Sequence, residues 1–205
     1  MRDGDKAAGA AMVAAAAGVV IAMGHHPSGA HGGGLAGFVH GAMIVLLATL
    51  TFGFLHLARR RGLDRPAVLA GLVAYGIGLV GHVSAATING FAVPALAARG
   101  GAGHDLFLLA WELNQALAKL GVYATAASYL CWSADFIADK RTAPRLLGLA
   151  GLAAGAVPAV LLAAGAIRMD VAGALVVYAA QVGWAALVGL YLLRYGALAH
   201  RPEGD

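Results

Sequence analysis

The sequence predicts an all-α integral membrane protein, a compact bundle of six transmembrane helices that forms a single domain over residues 1–205. Hydrophobic residues make up 60% of the 205 residues and charged residues only 12%, and the mean hydropathy is +0.78. A spanning helix takes about 20 apolar residues, so the chain has room for about six spans and for no sizeable soluble domain.

The first three predicted spans are apolar runs bounded by charge and by glycine. Residues 7–23 are an Ala/Val run that follows Arg2. Residues 35–57 begin after a His/Gly-rich loop, and residues 66–91 begin after an arginine-rich loop. The first run also fits a cleaved signal peptide, in which case five spans with an external N-terminus would remain.

The last three predicted spans are separated by short polar turns. Residues 105–135 follow a Gly-rich turn and end before a second basic loop. Residues 146–167 and 171–194 are joined by a tight turn at 168–170. No connecting loop is long enough to form a domain of its own.

Basic residues predict which side of the membrane each loop occupies. Of the 14 Lys and Arg residues, all but Arg99, Lys119 and Arg168 lie at one side of the predicted bundle. Because cytoplasmic loops accumulate Lys and Arg, both termini are predicted to be cytoplasmic, in a bacterial-type inner (plasma) membrane that suits the Ala/Gly-rich composition. The net charge of +4 follows from this bias, so nucleic-acid binding is not implied.

Glycines recur within the predicted spans at positions that favour close packing. Gly78 and Gly81 lie in the third span, and Gly151 and Gly155 lie four residues apart in the fifth. Small residues at such spacing let helices approach closely in lipid. The sequence therefore predicts a tightly packed bundle.

Histidines are the candidate ligands for a transition-metal ion or for haem b. His25, His26 and His31 lie in the first loop, and His40 and His82 lie in spans 2 and 3 at similar predicted depth. Imidazole is the commonest protein metal ligand. Against a metal site, the chain has one cysteine and no His-Glu-x-x-His or Cys/His pattern, so a solvated histidine loop is the competing interpretation.

Other polar residues are predicted to lie with these histidines in the outer third of the bundle. Ionisable side chains are costly in lipid and are by default functional candidates. Glu112 and Lys119 share a face of the fourth span, so we expect them to pair directly or through water. The complete predicted intramembrane polar site is Tyr75, Asn89, Glu112, Asn114, Gln115, Lys119, Tyr178 and Gln181.

Three functions fit these residues. The first is a membrane-embedded metal or haem b protein built on His40 and His82. The second is a small proton-coupled transporter with Glu112 as coupling residue, for which the matching pairs Val80-Gly81 and Val182-Gly183 are a weak sign of internal repetition. The third is a non-catalytic subunit or assembly factor. The expected partners are the lipid bilayer and either a second copy or another membrane subunit, and the sequence leaves enzymatic activity and the cofactor open.

Overall fold

The computed structural model of the chain describes residues 2–26, 33–99 and 103–195, and within them the secondary structure is helical. A π-helical turn, Ile88–Ala92, joins α3 to α4 in one continuous rod, Pro66–Ala98. The helices are α1 (Arg2–Gly24), α2 (Gly33–Arg61), α3 (Pro66–Thr87), α4 (Val93–Ala98), α5 (His104–Ile137), α6 (Thr142–Ala163) and α7 (Val171–Tyr195).

Five candidate membrane spans occur in the described part of the chain: α1, α2, the α3–α4 rod, α6 and α7. Many large apolar side chains point outward, as lipid-facing residues do, and Phe38 is 75% exposed. The predicted all-helical membrane fold is confirmed. The polar helix α5 is not among the five, so the number of spans and the orientation of the termini stay predictions.

The third predicted span is longer than residues 66–91, because the helix continues through Pro94 to Ala98. In a regular α-helix the ring of Pro94 would clash with the carbonyl of Gly90. The π-helical turn lies at this point and widens the backbone. The proline therefore does not end the helix.

The long helices pack in chain order around a closed ring. Each packs on its neighbour in the order α1, α2, α3, α5, α6, α7, and α7 packs back on α1. Glycines allow the closest approaches, as the predicted packing requires. A Cβ on Gly81 would lie 2.6 Å from the backbone nitrogen of Gly121, and one on Gly9 would lie 2.6 Å from the carbonyl oxygen of Gly189.

An aromatic cluster fills the ring in the half nearer the arginine-rich loops. Trp132 and Trp184 stack with centroids 6.2 Å apart, and Phe54 lies 4.9 Å from Trp132. The indole nitrogens of the two tryptophans donate to the carbonyls of Val68 and Leu147, so burial leaves neither donor without a partner. The cluster comprises Phe54, Tyr75, Tyr129, Trp132, Phe136 and Trp184.

Ion pairs close the bundle at this end, which we call the basic end. Asp135 of α5 accepts from Arg61 and from Arg65 (Oδ1 to Nη1, 2.9 Å). Asp5 of α1 accepts from His56 and from Arg60 of α2 at 2.6 and 3.2 Å. These contacts tie α1 and α5 to the end of α2.

Candidate functional site

A cavity of about 600 Å³ lies inside the ring, between the aromatic cluster and the end opposite the arginines. Phe54, Tyr75 and Tyr129 of the cluster form its floor. We call the residues at the other end its mouth, where the half-exposed Trp111 and the exposed Asp170 lie. Most of the wall is apolar. Helices α1, α2, α3, α5 and α7 all contribute side chains, so the site depends on the closed ring.

Helix geometry places this cavity in the half of the bundle away from the basic end. Along α2, His40 lies about 30 Å from Arg61, and along α3, His82 lies about 25 Å from Arg65. The hydrocarbon core of a bilayer is also about 30 Å thick. With the arginines at one boundary, His40 lies at the opposite boundary and His82 a few ångströms below it.

His26 and His40 meet at the mouth. Their Nε2 atoms are 3.2 Å apart, and Nδ1 of His40 lies 2.8 Å from the carbonyl oxygen of Ala36. Because a carbonyl oxygen only accepts, Nδ1 of His40 carries the hydrogen. The Nε2 atom of neutral His40 is then a lone-pair acceptor, and His26 Nε2 donates to it.

The π-helical turn sets the position of His40. A Cβ on Gly90, inside the turn, would lie 2.5 Å from the Cβ of His40. The turn therefore presents bare backbone to α2 at the level of the histidine. Asn89, the preceding residue, lines the cavity.

His82 lies deeper, and both of its ring nitrogens have hydroxyl partners. Nδ1 lies 3.2 Å from the hydroxyl of Tyr178, and Nε2 lies 3.3 Å from the hydroxyl of Thr125. The side chain is buried. Helices α3, α5 and α7 are therefore joined at one polar node in the cavity wall.

Three amides in the wall donate to backbone carbonyls. Asn114 donates to Ala85 at 2.8 Å and Gln115 donates to Met169 at 3.0 Å. Gln181 donates to Val122 at 3.4 Å. Each of these hydrogen bonds uses one of the two amide hydrogens, so each amide retains a carbonyl oxygen acceptor and a second hydrogen for a ligand.

Most of the residues predicted for the polar site come together here. They line a single cavity although they lie on four helices, on the π-helical turn and just after the end of α1. The predicted residues that line it are His26, His40, Tyr75, His82, Asn89, Asn114, Gln115, Tyr178 and Gln181.

Glu112 and Lys119 do not join them, and the predicted ion pair between them is wrong. Both side chains are exposed on the outer face of α5, and neither forms an ion pair with a described residue. Asn114 and Ala118 occupy the inward face instead. Helix α5 has 34 residues, so Glu112 lies about 35 Å along the helix from Asp135.

The loop histidines do not form the predicted multi-histidine site within the described residues. His25 is exposed, and its Nδ1 lies 2.9 Å from the carbonyl oxygen of Ile21. His31 lies outside the described residues. Residues 2–26, 33–99 and 103–195 contain no group of three or more His, Cys, Asp or Glu side chains placed to hold a metal ion.

Sequence analysis missed three parts of the cavity: Thr125, the turn residues Met169 and Asp170, and the floor residues Phe54 and Tyr129. A signal for Thr125 exists, because Ala118 and Thr125 are seven residues apart on one helical face of small residues. The turn residues carry no comparable pattern, since their position depends on how α6 and α7 pack.

Comparison with known proteins finds no matching family model, no matching curated protein and no matching solved structure. The geometry of the cavity therefore carries the functional interpretation.

Proposed function

We propose that the protein binds a lipophilic small molecule with an uncharged, hydrogen-bonding head group inside the membrane. The observation that carries this proposal is the cavity of about 600 Å³ enclosed by the helix ring. Small-molecule pockets fall in the range of roughly 300–1,000 Å³ and combine apolar walls with a few polar groups.

The wall indicates the chemistry of the ligand. Leu50 and Val182 are among the apolar side chains that would contact an apolar body. The oxygens of Asn114 and Gln115 and the histidines at the mouth would contact a polar head. Among the described residues no lysine or arginine lines the cavity, so it offers no cation to a phosphate or carboxylate. The ligand class is thus neutral, with hydrogen-bonding groups at one end.

Haem b is a special case of such a ligand and receives less support. Axial ligation by His40 and His82 would require the first to give up its contact with His26 and the second to turn away from Thr125 or Tyr178. A neutral lipophilic ligand with a hydrogen-bonding head group requires none of these changes. The absorption spectrum of the purified protein tests this case directly, because bound haem gives a Soret band.

Binding is better supported than transport. The candidate coupling residue Glu112 lies outside the cavity, and the aromatic cluster fills the path toward the basic end. The suggested repeat also lacks structural equivalence, because a Cβ on Gly81 would meet the backbone of Gly121 whereas a Cβ on Gly183 would meet no atom of another helix within 4 Å. A purely structural subunit would leave the cavity without a role.

Two alanines on α5 provide a matched test. Ala118 lines the cavity, and Ala116 lies on the exposed outer face. Wild type, Ala118→Leu and Ala116→Leu are purified in mild detergent, washed, and extracted with organic solvent for mass spectrometry. We expect one compound near one molecule per protein in wild type and Ala116→Leu and a strong depletion of it in Ala118→Leu. Equal amounts in all three proteins, or no enriched compound in any, would contradict the proposal.

A further inference from the structure

We propose that His26 and His40 form the protein side of a divalent transition-metal site at the mouth of the cavity. The remaining coordination positions are left to water or to a small exogenous ligand. This site goes beyond the binding of a lipophilic molecule and does not depend on it.

The distance between the two histidines suits a metal. Tetrahedral zinc binds imidazole nitrogen at about 2.0–2.1 Å, which places two such nitrogens about 3.3 Å apart. The Nε2 atoms of His26 and His40 are already 3.2 Å apart, and their rings are nearly perpendicular, with an interplanar angle of 77°. To bind one metal ion together, His26 would move its ring hydrogen from Nε2 to Nδ1, and both rings would turn their Nε2 lone pairs toward one point, in place of the present Nε2–Nε2 hydrogen bond.

The surroundings of His40 prepare it as a ligand. Its Nδ1 donates to the carbonyl of Ala36, which leaves the Nε2 lone pair available. A hydrogen bond from the second ring nitrogen to a carbonyl is the usual arrangement around metal-bound histidine, since it fixes the tautomer and the ring orientation. The same arrangement does not exist at His82, whose two nitrogens contact hydroxyl groups.

The position of His40 also allows a metal cation to reach it. His40 lies at the level of the membrane boundary rather than in the centre, so an aqueous metal ion can reach it without crossing hydrocarbon. The exposed carboxylate of Asp170, whose Oδ1 accepts from the backbone nitrogen of Gly173 at 2.8 Å, lines the same cavity.

Two protein ligands define the kind of site. Among the described residues no third His, Cys, Asp or Glu joins the pair in a metal-ligating group. We therefore assign it as an open site with two ligands from the described residues, in which exchangeable ligands complete the coordination.

Cobalt and zinc titrations test the site on protein from which the affinity tag has been removed. Co²⁺ is titrated and its visible d–d absorption recorded, and Zn²⁺ is titrated by calorimetry. We expect one ion per chain and a loss of affinity of at least about tenfold in both His26→Ala and His40→Ala.

The neighbouring histidines separate this pair from histidine-rich loops in general. His25 is adjacent in sequence but exposed and turned to Ile21, so His25→Ala should retain wild-type affinity. His31→Ala, in the loop outside the described residues, should do the same. An equal loss in all four variants, or no saturable binding to wild type, would overturn the proposal.

X-ray absorption at the zinc edge gives a second readout that a change in folding does not mimic. The bound ion should show two imidazole ligands in wild type and in His25→Ala. A spectrum with oxygen ligands alone would contradict the pairing of His26 with His40. Because His26 follows the end of α1, the His26→Ala variant is expected to fold even if His40→Ala does not.

Discussion

The ring of His82 lies directly against the backbone of Gly121. An ideal Cβ on Gly121 would be 2.5 Å from Nδ1 of His82 and 2.7 Å from its Cε1. The absence of a side chain at this position of α5 therefore allows the ring to reach both Thr125 and Tyr178. The polar node in the cavity wall depends on this glycine.

Substitution Gly121→Ala should destabilise the protein. The new methyl group would meet the imidazole and force it from its two hydroxyl partners, and overpacking of this kind costs about 1–3 kcal/mol. Gly76→Ala is the matched control on α3, because a Cβ there meets no atom within 4 Å. The thermal unfolding midpoint in detergent should fall for the first variant and stay level or rise for the second. Equal unfolding midpoints for Gly121→Ala and Gly76→Ala would show that the position of His82 does not depend on the absence of a side chain at Gly121.

The aromatic cluster should dominate the packing energy of the ring. Phe54 is 1% exposed and contacts Tyr75 and Trp132, whereas Phe52 on the same helix is 52% exposed. Truncation of a buried phenylalanine costs about 3–5 kcal/mol. Phe54→Ala should therefore lower the free energy of unfolding by that amount and Phe52→Ala by much less, as measured by denaturant titration followed through tryptophan fluorescence. Similar losses in both variants would contradict the placement of the cluster.

Asp135 should hold the basic end together. Its side chain is 8% exposed and accepts from two arginines, Arg61 and Arg65. Removal of one partner of a buried pair costs about 3–5 kcal/mol. Arg61 keeps Asp139 as a second partner. We therefore expect Asp135→Ala to lower the free energy of unfolding by an amount near the lower end of this range. Arg141, which is 55% exposed and pairs with Asp139, is the control, and Arg141→Ala should cost less than Asp135→Ala because water screens an exposed arginine.

Stability should depend on pH through Asp139, in the turn after α5. Hydrogen bonds from Arg141 above all, and from Arg61, hold the pKa of the Asp139 carboxyl below its usual range. The stabilisation is thus fully present above the unfolded pKa of about 3.9 and is lost as the pH falls through the folded pKa. The difference in unfolding midpoint between wild type and Asp139→Asn should be constant between about pH 8 and pH 5 and shrink below about pH 4. A difference that grows on acidification would reverse the assigned direction.

The helices could be predicted from the sequence because the length of an apolar run depends only on neighbouring residues. The two ends of α7 are predicted within a residue, as 171–194 against Val171–Tyr195. The third span ends later than predicted because a π-helical turn accommodates Pro94, and no local pattern signals that turn.

The faces of α5 were harder to predict, because its sequence is polar on two sides. Glu112 and Lys119 lie on one side and Asn114 on another, and the cost of an unpaired charge in lipid favours the prediction of a buried ion pair. Both charged side chains are instead exposed on the outer face of α5. Packing against α3, through Gly121, is what turns Asn114 and Ala118 inward.

The most direct test of the cavity as a ligand site is a thermal shift on returning the extracted molecule to the protein. Wild type, Ala116→Leu and Ala118→Leu are stripped of the co-purified compound by exhaustive detergent washing, and the unfolding midpoint is measured with and without it. A ligand at 100 times its Kd stabilises the native state by about 2.7 kcal/mol. The account predicts that the compound raises the unfolding midpoint of wild type and Ala116→Leu and leaves that of Ala118→Leu unchanged. The same rise in all three proteins, or no rise in wild type, would contradict it.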